Sequence, residues 1–186
     1  MIELLRRRRS IRRFQDRPVP PEVVDLLVET ALRAPSSRGF NPWHFVVVRD
    51  PAVLGQLAGA KPHGASFLKN APLGIVVAAD PGVSDVWVED ASIAAVLLHL
   101  AAADLGLGSC WIQLRRRPHD ENRSACEFVR ELLGMPPELE VLAILAVGYP
   151  DEEKKPHPAD SLQRGKVSYG KYGLQGCESA GGKKKA

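Results

Sequence analysis

Apolar residues recur along this chain in two ways, at helical spacing and in short continuous runs, and each predicts a different element. Between Pro20 and Arg33, Val23, Val24, Leu27, Ala31 and Leu32 return at helical spacing. The Pro20-Pro21 pair suits the start of that helix. Pro35 stops it, because a residue preceding proline is pushed out of the helical region. Ser36 to Pro42 is then a loop of small and polar residues. His44 to Val48 is a β-branched run and predicts a strand, with a short helix around Ala52 to Ala58 behind it. Leu73 to Ala79 and Glu140 to Gly148 are apolar runs that predict buried strands. Val86 to Leu105 predicts the longest helix, apolar around most of its circumference and therefore central or packed against a partner. Gly106-Leu107-Gly108 ends it, and Ser109 to Ile112 extends. Asn122 to Leu133 predicts another amphipathic helix, stopped by Gly134 and Pro136.

Helices and strands thus interleave without strict βαβ alternation, which predicts an α+β sandwich with a sheet of about four or five strands. Residues 1–150 read as one domain, a size ordinary for a chain of 186 residues. From 151 to 180 the sequence turns polar and rich in proline and glycine, an extended arm with no core of its own. Residues 181–186 read as a disordered tail. His99 and Asp104 interrupt the longest apolar stretch before it reaches the ~18 residues of a membrane span. With no secretory signal at the N-terminus either, a cytoplasmic protein that does not contact membrane is expected.

Composition changes this picture little: 45% hydrophobic and 25% charged residues are those of a globular protein. The placement of charge changes it more. Residues 1–17 hold seven arginines against Glu3 and Asp16, and Lys183 to Lys185 close the chain, so the remainder is mildly acidic. A broad basic face for nucleic acid is not expected. Cys110, Cys126 and Cys177 are widely spaced, without a CxxC pair, and the five histidines show no ligand spacing. Redox chemistry in this chain would therefore need an organic cofactor. Cys110 reads as a buried small residue, His99 as a hydrogen-bonded core residue, and Glu89-Asp90 as acids that suit a helix dipole.

Two segments carry candidate chemistry. In Arg8-Arg9-Ser10-Ile11-Arg12, an extended backbone puts Arg8, Ser10 and Arg12 on one face, where guanidinium and hydroxyl groups can converge on a phosphate. Taken alone, the same run reads sooner as a solvated basic terminus, or a nucleic-acid or membrane-surface arm, than as a phosphate site. In Ala34-Pro35-Ser36-Ser37-Arg38-Gly39-Phe40-Asn41-Pro42-Trp43, a helix ends in hydroxyl and amide groups that can hydrogen-bond the edge of a planar heterocycle while Pro35 packs on its face. Trp43 and Phe45 read as core.

The RRSxRxF-like start, the APSSxxxxPWxFVVV block and DASIAAxLLxLAAxxLGLGSCWI occur here in that order. In this the chain resembles the FMN-dependent nitroreductase superfamily over roughly residues 5–150. The resemblance implies a mostly antiparallel sheet flanked by helices, and a homodimer that exchanges C-terminal arms and builds two FMN sites at its interface. Arg8, Arg9, Ser10 and Arg12 match the block that holds the FMN phosphate and the pyrimidine edge. Pro35, Ser36, Ser37 and Asn41 match a block contributed by the partner subunit. Trp111, Ile112, Gln113 and Leu114 match the stretch beside the flavin ring, with a backbone N–H near Gln113 as donor to N5. The basic residue that relatives place near the start of the arm is missing, since Pro158 to Leu162 offers Asp160 instead; Arg164 or Lys166 is the substitute.

The implied reaction runs from NADH or NADPH to a small electrophile such as a nitroaromatic or quinone, by a ping-pong mechanism in which the cofactor carries the chemistry. No side-chain acid or nucleophile is required, and no metal. Arg12 is the candidate to stabilise the negative charge that develops at flavin N1 and O2 on reduction. The matched blocks also admit reductive dehalogenation, azoline oxidation, flavin cleavage, or a flavin sensor without turnover.

Overall fold

The computed structural model describes residues 1–174, which fall into two compact units divided between Lys155 and Pro156. In the first unit the elements follow in the order α1 (Ile2–Arg7), α2 (Pro21–Leu32), β1 (Trp43–Val48), α3 (Pro51–Leu57), β2 (Leu73–Ala79), α4 (Trp87–Asp104), β3 (Gly108–Gln113), α5 (Ala125–Leu133) and β4 (Glu140–Gly148). The four strands form one sheet in the order β1-β2-β4-β3, every pair antiparallel.

The two apolar runs, β2 and β4, occupy the centre of the sheet, where both faces are covered. Side chains alternate across a strand, so each run feeds two cores. Leu73, Ile75, Val77, Leu145 and Val147 pack with Leu27 of α2 and Ala91, Ala95 and Leu98 of α4. Val76, Ala78, Ile144 and Ala146 face the other way, onto Leu54 and Leu57 of α3 and Ala125 and Val129 of α5. The expected α+β sandwich is the observed one. Trp43 is buried as expected, in a small cluster with Ala34 and Ala94.

Three local differences have physical causes. The N-terminal helix α1 was not legible in the periodicity: Leu4 is its only buried residue, and it is held by packing on α4. α5 starts at Ala125 rather than Asn122, because the Asp120 carboxylate accepts the Asn122 and Arg123 N–H groups at 2.8 Å and turns the chain. Ser124 then caps the helix in a reciprocal box with Glu127. β3 ends where a bulge in the β2–β4 pairing leaves the Leu142 carbonyl accepting from both Leu114 and Arg115 N–H.

Gly108 and Gly148 lie opposite one another at the end of the β3–β4 ladder. A Cβ on Gly108 would sit 2.7 Å from the Ile11 Cβ, and one on Gly148 2.6 Å from the Pro72 Cδ. The missing side chains are what let residues 11–14 lie directly against the sheet. The described residues of the second unit, 156–174, include two short 3-10 turns, Ala159–Ser161 and Arg164–Lys166, and a tight loop closed by the Tyr169 N–H on the Leu174 carbonyl. Leu162, Val167, Tyr169, Tyr172 and Leu174 are all exposed there.

Candidate active site

The arginine-rich segment leaves α1 at Arg8 in extended conformation, touches the start of β3 at Ser109 and then pairs with the chain that follows β4. Ser10 bridges Ser109 in parallel, and the Ile11 N–H donates to the Ser109 carbonyl at 3.0 Å. Ile11 is buried against Gly108, so alternation turns Ser10 and Arg12 toward the opposite face. Residues 150–155 clamp the segment from its other side. Phe14 bridges Pro150, the Arg9 guanidinium donates to the Lys155 carbonyl, and the Lys154 ammonium donates to the Ser10 carbonyl at 2.7 Å. Glu152 accepts the Arg12 N–H at 2.5 Å and pairs with Lys154 at 3.0 Å; the Arg12 hydrogen bond is the main reason its carboxyl is held below the usual range.

Backbone groups, Glu152 and Lys154 therefore hold this segment, and the guanidinium groups of Arg8 and Arg12 stand outside those contacts. Among the described residues neither has a carboxylate partner within 4.0 Å; Arg12 lies over the Phe67 ring at 5.8 Å. The cleft beside Arg7, Arg8 and Arg9 is closed by Ala103, Gly106 and Ser109. Sequence reasoning missed Lys154, whose partner is a main-chain carbonyl 144 residues away.

β3 is an edge strand. In an antiparallel pair, alternate residues point their N–H and C=O away from the neighbour. The Ser109 carbonyl points outward, to Ile11, so the same alternation sends the N–H groups of Trp111 and Gln113 to the open edge. Their side chains are already engaged. His99 Nδ1 lies 2.7 Å from the Ser109 hydroxyl, its ring stacks on Trp111, the Trp111 indole donates to Gln113 Oε1 at 2.9 Å, and Gln113 Nε2 donates to the Arg115 carbonyl. Ile112 and Leu114 are fully buried in the core, and the same alternation turns their N–H groups toward β4, where the Leu114 N–H donates to the Leu142 carbonyl, so neither faces the open edge as the resemblance implied. Burial, with a smaller contribution from the Arg8 charge, lowers the His99 pKa to about 4, which keeps this ring neutral. Cys110 is buried too, and burial pushes its thiol up, away from the reactive thiolate.

The Pro35–Asn41 loop closes on itself through Ser36, whose hydroxyl donates to Asn41 Oδ1 at 2.8 Å and accepts the Asn41 N–H at 2.9 Å. Arg38 and Asn41 adopt left-handed backbone, φ 52° and 49°. Such conformations persist only where neighbours impose them, and here Asp90 takes part. Its carboxylate, 3% exposed, accepts the Ser37 N–H at 2.8 Å and the Ser84 hydroxyl at 2.9 Å. Asp90 suits the helix dipole as expected, but its loop contact had no signal in the sequence. Pro35 and Asn41 are exposed, Ser36 and Ser37 half-buried.

These two blocks are not brought together within one chain. The loop is tied to Asp90 at the start of α4, whereas the arginine cleft is lined by Ala103 near its end. Thirteen residues of helix separate them, roughly 20 Å at 1.5 Å per residue. Arg164 and Lys166 lie in the second unit, exposed on their 3-10 turn.

Known proteins share this fold. An NADH dehydrogenase/NAD(P)H nitroreductase namesake from Archaeoglobus fulgidus is 39% identical over 163 residues, 86% of this chain and 90% of the relative. The structure of an FMN-dependent nitroreductase from Clostridium difficile R20291 superposes with a TM-score of 0.91 at 46% identity, covering 92% of this chain and all of the other. A structure of oxidized iodotyrosine deiodinase bound to FMN and 3-iodo-L-tyrosine matches with a TM-score of 0.71 at 28% identity, covering 84% of this chain and 93% of that one. The family model described as the nitroreductase family matches residues 5–149, and the chain belongs to that family.

Proposed function

We propose that this protein is an FMN-dependent oxidoreductase that uses NADH or NADPH to reduce nitroaromatics, quinones or similar small electrophiles. The observation that carries the reading is the pair of guanidinium groups of Arg8 and Arg12, which have no carboxylate partner among the described residues and flank the bridge of Ser10 to Ser109 of β3. The residues fit the cofactor: guanidinium groups suit a phosphate and an anionic ring edge, and outward N–H groups suit the polar rim of a flavin. Arg8, Arg9, Ser10 and Arg12 would hold it from one side and the outward main-chain groups of Trp111 and Gln113 from another. Bound FMN would supply the chemistry of hydride transfer between the nicotinamide and the acceptor.

The chain's own residues then position and stabilise. Arg12 would offset negative charge on the ring and the Gln113 N–H would orient it, while neutral His99 supports Trp111 without adding charge. One face serving donor and acceptor in turn gives ping-pong kinetics.

The separation of the two blocks along α4 supports a homodimer in which the partner subunit supplies Pro35, Ser36, Ser37 and Asn41. Ile93 and Val96 of α4 are 41% and 50% exposed, and with Leu97 and Leu100 they form one apolar helix face. Such a patch suits burial against a second copy. The exposed apolar residues of the arm, Leu162 and Tyr172 among them, are the surface a partner would cover. Reductive dehalogenation is the second reading, favoured by the deiodinase relative.

The test is the visible spectrum of the purified protein, followed by NADH and NADPH added separately without oxygen. A flavin spectrum that bleaches with either nucleotide is the expected result. A protein that takes up no added FMN overturns the reading, and a flavin that bleaches with neither nucleotide moves it to another donor or to sensing.

A further inference from the structure

Two loops meet beyond the end of β3. One follows α3 and carries Lys61, Pro62 and His63; the other carries Arg117, Pro118 and His119. They are tied together. His119 Nδ1 lies 3.2 Å from the Ala60 carbonyl, and the His119 ring stacks on Phe128 of α5 with centroids 4.0 Å apart. Pro118 bridges Ser124, the Arg117 N–H donates to the Leu114 carbonyl, and Ala60 is fully buried. Lys61 and Arg117 thus stand on anchored backbone on either side of one cleft of about 300 Å³, walled by Pro62 and Pro118.

Two cations facing one cleft repel each other, and an anion between them removes that cost. No acid lines the cleft, and among the described residues neither cation has a carboxylate partner. The nearest acid in sequence, Asp120, is committed to Arg123 and His119. The strain registers on Lys61, whose pKa is lowered first by burial and then by the Arg117 charge. The cleft is also tied to the strand that carries the candidate site: Arg117 follows Gln113 by four residues, and its N–H donates to the carbonyl of Leu114, the residue after β3.

We infer that Lys61 and Arg117 form an anion subsite that receives an oxyanion of the bound reactant, the carboxylate of an aromatic acceptor or a phosphate of the nicotinamide nucleotide. This rests on the proposed oxidoreductase reading and adds a substrate class to it: acceptors with a reducible group at the ring and a carboxylate at the far end. Arg117 presents a planar fork suited to carboxylate or phosphate, and Lys61 a point charge across from it.

The experiment compares flavin-loaded wild type with Lys61→Gln, Arg117→Gln and the charge-retaining Lys61→Arg. KM is measured for 4-nitrobenzoate, for neutral nitrobenzene, and for NADPH against NADH, after FMN content is read from each spectrum. A rise of about tenfold or more in KM for 4-nitrobenzoate in both glutamine variants is expected, with nitrobenzene little changed and Lys61→Arg restored. A rise confined to NADPH supports the subsite with the nucleotide phosphate as its ligand. Equal effects on charged and neutral reactants, or none, overturn the subsite while leaving the oxidoreductase reading intact. Loss of FMN from the glutamine variants also overturns it, by assigning the cations to the cofactor. A wild type that takes up no FMN overturns both.

Discussion

The buried carboxylate of Asp90 accepts the backbone N–H of Ser37 at 2.8 Å across fifty-three residues of sequence, and so joins the start of the longest helix to the Pro35–Asn41 loop. Its second oxygen takes the Ser84 hydroxyl, so one side chain satisfies two groups from two other segments. Asp90→Ala leaves both donors without their acceptor and is expected to cost about 1–3 kcal/mol of stability. If the loop serves the flavin, FMN affinity falls as well, and Asp90→Asn, which retains one acceptor oxygen, falls less. Denaturant melts and FMN titrations of the two variants check this; unchanged affinity in Asp90→Ala would sink the loop's role.

Arg8 and Arg12 stand outside the contacts that hold their segment. Arg12→Ala and Arg8→Ala are therefore expected to leave the melting temperature within a few degrees of wild type while weakening FMN binding. A charge-assisted hydrogen bond is worth about 1.5–3 kcal/mol, so each loss amounts to roughly ten- to a hundredfold in Kd. Quenching of free FMN fluorescence on titration with protein measures it.

Gly108 is expected to tolerate no side chain while Ile11 occupies its place. Gly108→Ala brings a Cβ within 2.7 Å of the Ile11 Cβ and costs about 1–3 kcal/mol. Because Ile11 anchors the segment between Ser10 and Arg12, flavin affinity should fall with stability. The double variant Gly108→Ala/Ile11→Gly removes the Ile11 Cβ and so relieves the overlap, and its loss should be smaller than the sum of the single losses. Thermal melts of the set decide the matter, strict additivity counting against a direct clash.

His99 introduces an acid sensitivity. Its folded pKa, about 4, lies below the ordinary histidine value of 6.5. Between those values the unfolded chain binds a proton that the folded chain refuses, so stability falls as pH drops from about 6.5 towards 4 and then levels. The slope is at most about 1.4 kcal/mol per pH unit. Wild type should lose more stability than His99→Gln between pH 7 and pH 5 in urea melts, and equal losses would mean the acid sensitivity lies elsewhere.

What was legible in the sequence and what was not divides along the range of the interactions. Leu73 to Ala79 and Glu140 to Gly148 could be read as central strands because burial on both faces leaves an unbroken apolar run. Both polar blocks could be read because their residues are adjacent in sequence. Helix α1 could not, since six residues with one buried leucine carry no periodicity. Asp90, Lys154 and the Lys61–Arg117 pair escaped for another reason. Each acts on a partner brought close only by the fold, and in the first two that partner is a main-chain group with no identity in the sequence.

The length of α4 has a genetic consequence if the protein pairs as proposed. The arginine segment and the serine loop stand at opposite ends of that helix, so each flavin site would draw one block from each of two chains. Substituting Arg12 in one allele and Asp90 in another then damages every site in each pure population. In the mixed dimer both lesions fall on one site and the other is rebuilt entirely from undamaged parts. Two inactive alleles would complement each other in a single cell.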